Sequence, residues 1–293
     1  MTAGPSGVRR RQRLLVLAAG LVTLVACSGS TPGASSPGGS PTGPGSGSPP
    51  VSASTSASPP SSSGSPCSGP YASVPTYFAK TWHGRSALYR VELSLETCDP
   101  EGPSAAEQAV GFLGSRAAEV AYESFWPTDL DATSFRVTGH VARITVNGDP
   151  IESTRIGLQQ LVWTVTAADR QIRRVDLTTP GGSYPGLVRA PQEDVLAPVW
   201  LLRADTEDVS GGSVIHMSGS ASVFEATVSW QVTSSTGKVV DSGSAMTPEA
   251  APARGPWQAS SQPLPAGRTY TVTAYAASPE DGSMTWPDSR TTS

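Results

Sequence analysis

The chain is predicted to fold as an α+β domain followed by an all-β sandwich. In the first domain the order is β-α-β-β-α-β, with helices on one face of a small sheet. Three observations predict this. Strand-like alternation and helix-like spacing take turns between residues 87 and 177. From residue 191 onward helical spacing is lost, and short alternating runs recur with turn residues between them. Finally, 38 of the 39 residues from Ser28 to Pro66 are Ser, Pro, Gly, Thr or Ala, with Val51 the exception and no charge. Such a stretch cannot bury enough apolar surface to offset the ordering of its backbone, so it is assigned as linker. The folded part therefore begins near Cys67, and the remaining length suits two ordinary domains.

The first domain is placed at residues 67–186. Ala87, Tyr89, Val91, Leu93 and Leu95 alternate with Arg90, Glu92, Ser94 and Glu96, which predicts a half-buried strand ending near Cys98. Ser104-Ala105-Ala106-Glu107 has capping-box spacing, and Ala106, Ala109, Val110, Leu113, Ala117 and Val120 then share one helix face. Gly111 and Gly114 weaken the middle of that helix. Phe135 and Val137, then Ala142, Ile144 and Val146, flank Thr138-Gly139 as a hairpin. Leu158, Leu161, Val162 and Val165 predict a second helix, and Val175 and Leu177 a last strand before Pro180-Gly181-Gly182.

The second domain is placed at residues 191–293. Phe224, Ala226, Val228, Trp230 and Val232 are assigned to one face of a strand, and Tyr270, Val272, Ala274 and Ala276 repeat the pattern. Shorter candidate strands lie at 199–202, 214–217, 239–243 and 257–260, with turn signals at Ser235-Thr236-Gly237 and Glu280-Asp281-Gly282. About seven short strands in roughly one hundred residues indicate a sandwich.

The first 27 residues carry an export signal. Arg9, Arg10, Arg11 and Arg13 precede an apolar stretch from Leu14 to Ala26, which is short for a membrane span and suited to a secretory signal. Leu24-Val25-Ala26-Cys27 resembles the bacterial lipobox. That resemblance implies a signal peptide at 1–26, diacylglycerol on Cys27, and a lipidated Cys with its linker at 27–66. The membrane partner is then the lipid anchor on Cys27, and the expected location is the extracytoplasmic face of the cell membrane. Loss of residues 1–26 removes four Arg and no acid, leaving 16 basic against 24 acidic residues, a net charge of −8. An acidic body of this kind is a poor nucleic-acid binder. Cys67 and Cys98 suit an exported, oxidising compartment and are expected to form a disulfide, with two free thiols or a metal pair as the alternatives.

Residues from about 87 to 182 resemble the sporulation and germination GerMN domain. The likeness rests on the Ala-rich helix, Phe125-Trp126-Pro127, the hairpin, the run from Leu158 to Ala167, and the closing strand 172–179. It implies an assembly module without catalytic residues. The loop 147–152 is shorter than the resemblance implies. The later residues resemble the immunoglobulin-like domain of bacterial spore germination, through the run from Ser218 to Ala226, Arg254-Gly255-Pro256-Trp257, and the run from Ser278 to Ser283. That resemblance makes the sandwich immunoglobulin-like.

Candidate chemistry is sparse. Ser235-Thr236-Gly237-Lys238 has the Ser-x-x-Lys spacing of serine enzymes, but it falls between two strand patterns and is assigned as a turn. His83, His140 and His216 are far apart, with no ligand at metal spacing. Glu92 and Glu96 share a strand face and are assigned to solvent. No catalytic residue, metal ligand or cofactor is expected, and the chain is expected not to be an enzyme; an envelope hydrolase is the weakest alternative. Trp163 and Trp230 fall on core patterns. Trp82, Trp126, Trp257 and Trp286 stand close to Pro or Gly in loop-like sequence, where half-buried packing is the favoured reading and an exposed aromatic anchor the other; Trp126 and Trp257 are the candidate interaction surface. The expected function is a cell-surface lipoprotein whose non-catalytic modules engage an envelope protein or the cell wall, with glycan or small-ligand binding as the alternative.

Overall fold

The computed structural model describes residues 71–96, 102–114, 122–151 and 155–293. It opens with an antiparallel ribbon, β1 (Tyr71–Trp82) and β2 (Arg85–Glu96), turned by His83 and Gly84, both at positive φ. β1 escapes the alternation test because Thr76, Tyr77, Phe78 and Ala79 are all buried, so the strand is covered on both faces.

Helix α1 (Ala105–Gly114) starts where the capping box places it, with the Glu107 N–H donating to Ser104 Oγ at 3.2 Å. Its predicted continuation through Ala117 and Val120 lies outside the described residues. β3 (Ala132–Thr138) and β4 (Val141–Val146) form the expected hairpin, and helix α2 (Arg155–Ala168) crosses over to β5 (Arg174–Thr179), parallel to β4. β6 (Gly182–Leu187) completes a sheet of order β3-β4-β5-β6. Val110 and Leu113 of α1 and Leu161, Val162 and Val165 of α2 pack with Ala142, Ile144, Val146, Val175 and Leu177 of that sheet.

The element order is therefore β-β-α-β-β-α-β-β, not β-α-β-β-α-β. Two strands were hidden, for different reasons. β1 has no polar face, and β6 (Gly-Ser-Tyr-Pro-Gly-Leu) has turn composition that an edge strand tolerates. The strand predicted at 87–96 also leaves the main sheet and pairs with β1, apart from a single bridge between Leu88 and Leu196.

A four-residue helix, α3 (Gln192–Val195), leads into seven strands: β7 (Val199–Val209), β8 (Gly212–Ala221), β9 (Thr227–Ser234), β10 (Val239–Met246), β11 (Gly255–Ser260), β12 (Tyr270–Ala277) and β13 (Met284–Thr292). They form two sheets, β10-β9-β12-β13 and β11-β8-β7. Val199, Ile215, Met217, Val228, Trp230, Val232 and Val272 lie in the cluster buried between them.

The two folded parts are not independent cores. Tyr77, Phe78, Leu88 and Tyr89 of the ribbon share a buried cluster with Trp163 of α2 and with Val195, Leu196, Ala197 and Trp200 at the entry to the sandwich. The Leu88 carbonyl accepts both the Ala197 N–H at 2.9 Å and the Trp200 Nε1–H at 3.1 Å. The described residues, from 71 onward, accordingly fall in one compact unit. Among the described residues no helix is long and apolar enough to cross a membrane.

Candidate functional site

Cys27, Cys67 and Cys98 all lie outside the described residues, so the lipid anchor and the disulfide remain expectations from the sequence.

Trp126 and Trp257 do not form a surface. Trp126 is 1% exposed, and its Nε1–H donates to the Gly157 carbonyl at 3.0 Å. Trp257 is 2% exposed and donates to the Trp200 carbonyl at 3.2 Å. A neighbouring Pro or Gly shows where the backbone turns, not where the ring points. Both rings fill cores and find acceptors there. The core assignment holds for Trp163 and Trp230, while Trp82 and Trp286 are half-buried.

Ser235 to Lys238 is a hairpin turn, as predicted. Gly237 has φ 81°, its N–H donates to the Ser234 carbonyl at 2.9 Å, and the Ser234 N–H donates to the Lys238 carbonyl at 2.9 Å. The histidines occupy separate places. His83 sits in the ribbon turn, His140 reaches the Gln171 carbonyl at 2.9 Å, and His216 bridges Glu207 at 2.8 Å and Ser260 at 2.9 Å. Glu92 is not a free solvent acid, since it pairs with Arg90 and accepts the Ser73 hydroxyl at 2.8 Å.

The surface feature that stands out was misplaced by the sequence pattern. The pattern puts Phe224 on the same strand face as Val228, Trp230 and Val232, yet it is 76% exposed. Phe224–Ala226 is a 3-10 turn ahead of β9, in which Glu225 has φ 58° and Ala226 φ 55°. Two successive non-glycine residues in the left-handed region cost on the order of 1 kcal/mol each. The turn is held by a hydrogen bond from the Thr247 N–H to the Ala226 carbonyl at 2.8 Å. The neighbouring Met246 is 66% exposed and lies at the edge of its sheet. Phe224 thus stands exposed just before strained backbone, while Met246, whose thioether accepts the Thr227 hydroxyl at 3.4 Å, is exposed on the strand paired with β9.

At the junction a recess of about 410 Å³ is lined by Arg85, Trp286, Arg254, Glu193 and Asp194, among others. Trp286 has φ 49°, and the Arg85 guanidinium lies 5.8 Å from its ring. Arg254 stacks on Trp200 at 3.8 Å, and its donors reach the Ala197 and Ser220 carbonyls at 2.6 and 3.2 Å. Arg254 therefore braces the joint between the two parts. Burial lowers its pKa to about 10, with Tyr77 opposing that shift.

Comparison with family models bears on the sandwich alone. Residues 204–283 match the family model for the immunoglobulin-like domain of bacterial spore germination. No curated protein matches the chain. The solved structures similar to the chain include three from Bacillus subtilis and Clostridium perfringens. The tandem GerMN domains of the sporulation protein GerM from Bacillus subtilis share 13% identity at a TM-score of 0.36, over 46% of this chain and 50% of that one. The chain thus spans half the length of that tandem structure. The first GerMN domain of the same protein alone shares 18% identity at a TM-score of 0.28, over 42% of this chain and 96% of that one. A Clostridium perfringens protein provisionally classed as a lipoprotein shares 14% identity at a TM-score of 0.22, over 41% and 81%.

Proposed function

We propose that this chain is a lipid-anchored, non-catalytic contact module on the extracytoplasmic face of the membrane, and that it binds an envelope protein through the rim carrying Phe224 and Met246. The observation that carries this reading is Phe224, a phenylalanine 76% exposed and followed directly by two left-handed residues. An aromatic ring left in water beside strained backbone is a typical anchor once it is inserted into a partner's recess. The lipobox-like run ending in Cys27 supports the anchor. The match of residues 204–283 to a spore-germination domain supports a place in sporulation or germination.

Two results are expected. A photo-crosslinking amino acid at position 224 should capture one discrete envelope protein in cells. Capture from position 246 should be abolished by Phe224→Ser without any change in melting temperature; undiminished capture would remove Phe224 from the interface. Separately, an alkyne fatty acid fed to cells should label the protein, and Cys27→Ser should abolish the label. Persistent labelling would place the lipid elsewhere.

A further inference from the structure

A second concave site lies on the face where β1, β2, the end of α2 and the segment after β6 meet. It is a recess of about 580 Å³ whose charged lining consists of Arg90, Arg170, Arg173 and Arg189, with Tyr77 and Thr166 among its polar groups. No carboxylate is among its lining residues. That is unusual for a chain with 24 acidic against 20 basic residues. The junction recess, by contrast, mixes Arg85 and Arg254 with Glu193 and Asp194.

The arginines are only partly used by the fold. Arg189 donates its Nε–H to Thr166 Oγ1 at 2.6 Å and lies over the Trp163 ring at 4.4 Å, two contacts that orient the guanidinium without neutralising it. Burial lowers its pKa, with Tyr77 opposing. Arg90 pairs with Glu92 along its strand, yet its Nε is buried without a hydrogen-bond partner. Arg170 and Arg173 are exposed and form no ion pair among the described residues. The acid nearest in sequence, Asp169, directs Oδ1 to the Gln171 N–H at 2.8 Å. Pro75, Ile172 and Val188 supply the apolar part of the wall.

We infer that this recess binds a multivalent, phosphate-bearing anion. Four arginines line this recess, and among the described residues only Arg90 has a carboxylate partner, so three guanidinium charges are left without an acid. Their planar donor pairs also match phosphate oxygens two at a time. The shared chemistry is the phosphate group, whose source is either a soluble phosphate or pyrophosphate ester, or the phosphodiester of a lipid headgroup or wall polymer. The site is separate from the Phe224 rim, so it stands or falls independently of the protein contact.

The test is calorimetric titration of the protein as cells make it, extracted in neutral detergent, at fixed ionic strength. The probes are inorganic pyrophosphate, glycerophosphoglycerol, and sodium sulfate as a divalent control. Saturable pyrophosphate binding is expected, weakened about tenfold or more by Arg170→Gln with Arg173→Gln, both exposed and dispensable for packing. Arg136→Gln with Arg268→Gln removes the same charge from exposed positions outside the recess and should leave the affinity unchanged. Binding of glycerophosphoglycerol as tight as that of pyrophosphate assigns the phosphodiester source, while binding of pyrophosphate alone assigns the soluble ester. No saturable binding of either phosphate probe, equal binding of sulfate, or equal weakening by the two double variants would overturn the site.

Discussion

Trp200→Ala should lower the unfolding free energy by about 3–5 kcal/mol, as large-to-small substitutions at buried aromatics do, and should split one cooperative transition into two. Trp200 is 3% exposed and touches both folded parts. Its ring stands edge-on to Tyr77 of β1 at 5.8 Å and carries the Arg254 guanidinium at 3.8 Å. Its Nε1–H donates to the Leu88 carbonyl of β2, and its own carbonyl accepts the Trp257 Nε1–H of β11. Alanine would open a cavity in the shared cluster and remove one of the two donors to Leu88. The sheet-and-helix core and the sandwich core each have their own buried residues, so both can persist once the shared cluster loosens. Calorimetry should show two resolved endotherms where the unsubstituted protein shows one. Trp200→Phe, which keeps a ring but loses the donor, should cost about 1–2 kcal/mol and keep a single transition. A single transition with less than about 1 kcal/mol lost in Trp200→Ala would show that the joint does not depend on this ring.

Which parts of this architecture the sequence discloses follows from how each residue is buried. α2 and β9 are legible because one face is apolar and the other is not. The start of α1 is legible because Ser104 makes a local bond three residues ahead. β1 is not, because it is covered on both sides and interrupted by Pro75. Trp286-Pro287-Asp288 in β13 resembles a loop, and its pairing with β12 shows only in the fold. Phe224 and Ala226 have the spacing of a strand face, yet successive positive φ values rotate Phe224 out of it. The arginine recess leaves no local trace, since Arg90, Arg170, Arg173 and Arg189 come from β2, the α2–β5 link and the segment after β6. The junction is hidden for the same reason. Its polar members, Lys80, Tyr122 and Asp288, meet only after the two parts dock.

Asp288 leads to the second large effect, a dependence of stability on pH. It is fully buried; the Tyr122 hydroxyl donates to Oδ1, and the Leu201 N–H donates to Oδ2 at 2.7 Å. Desolvation pushes the carboxyl up to about 6, against the opposing pull of those two hydrogen bonds and of the Arg290 and Lys80 charges. Lys80 lies close by, with Nζ donating to the Pro287 carbonyl at 2.8 Å. Because the folded value is above the unfolded one of about 3.9, the folded state holds the proton more tightly between them. The stability this group contributes is full below about pH 4 and is lost as pH rises through about 6. A shift of about two units corresponds to roughly 3 kcal/mol. Asp288→Asn keeps one acceptor oxygen and cannot ionise, at a cost of about 1 kcal/mol for the lost hydrogen bond. Urea unfolding should therefore find the unsubstituted protein the more stable near pH 4. By pH 7 the order should reverse, with the asparagine variant ahead by about 2 kcal/mol. The difference between the two proteins isolates this group from the other carboxylates. A difference that stays constant from pH 4 to pH 7 would mean that Asp288 titrates as it does in the unfolded chain, and that the joint between the two parts is indifferent to its charge.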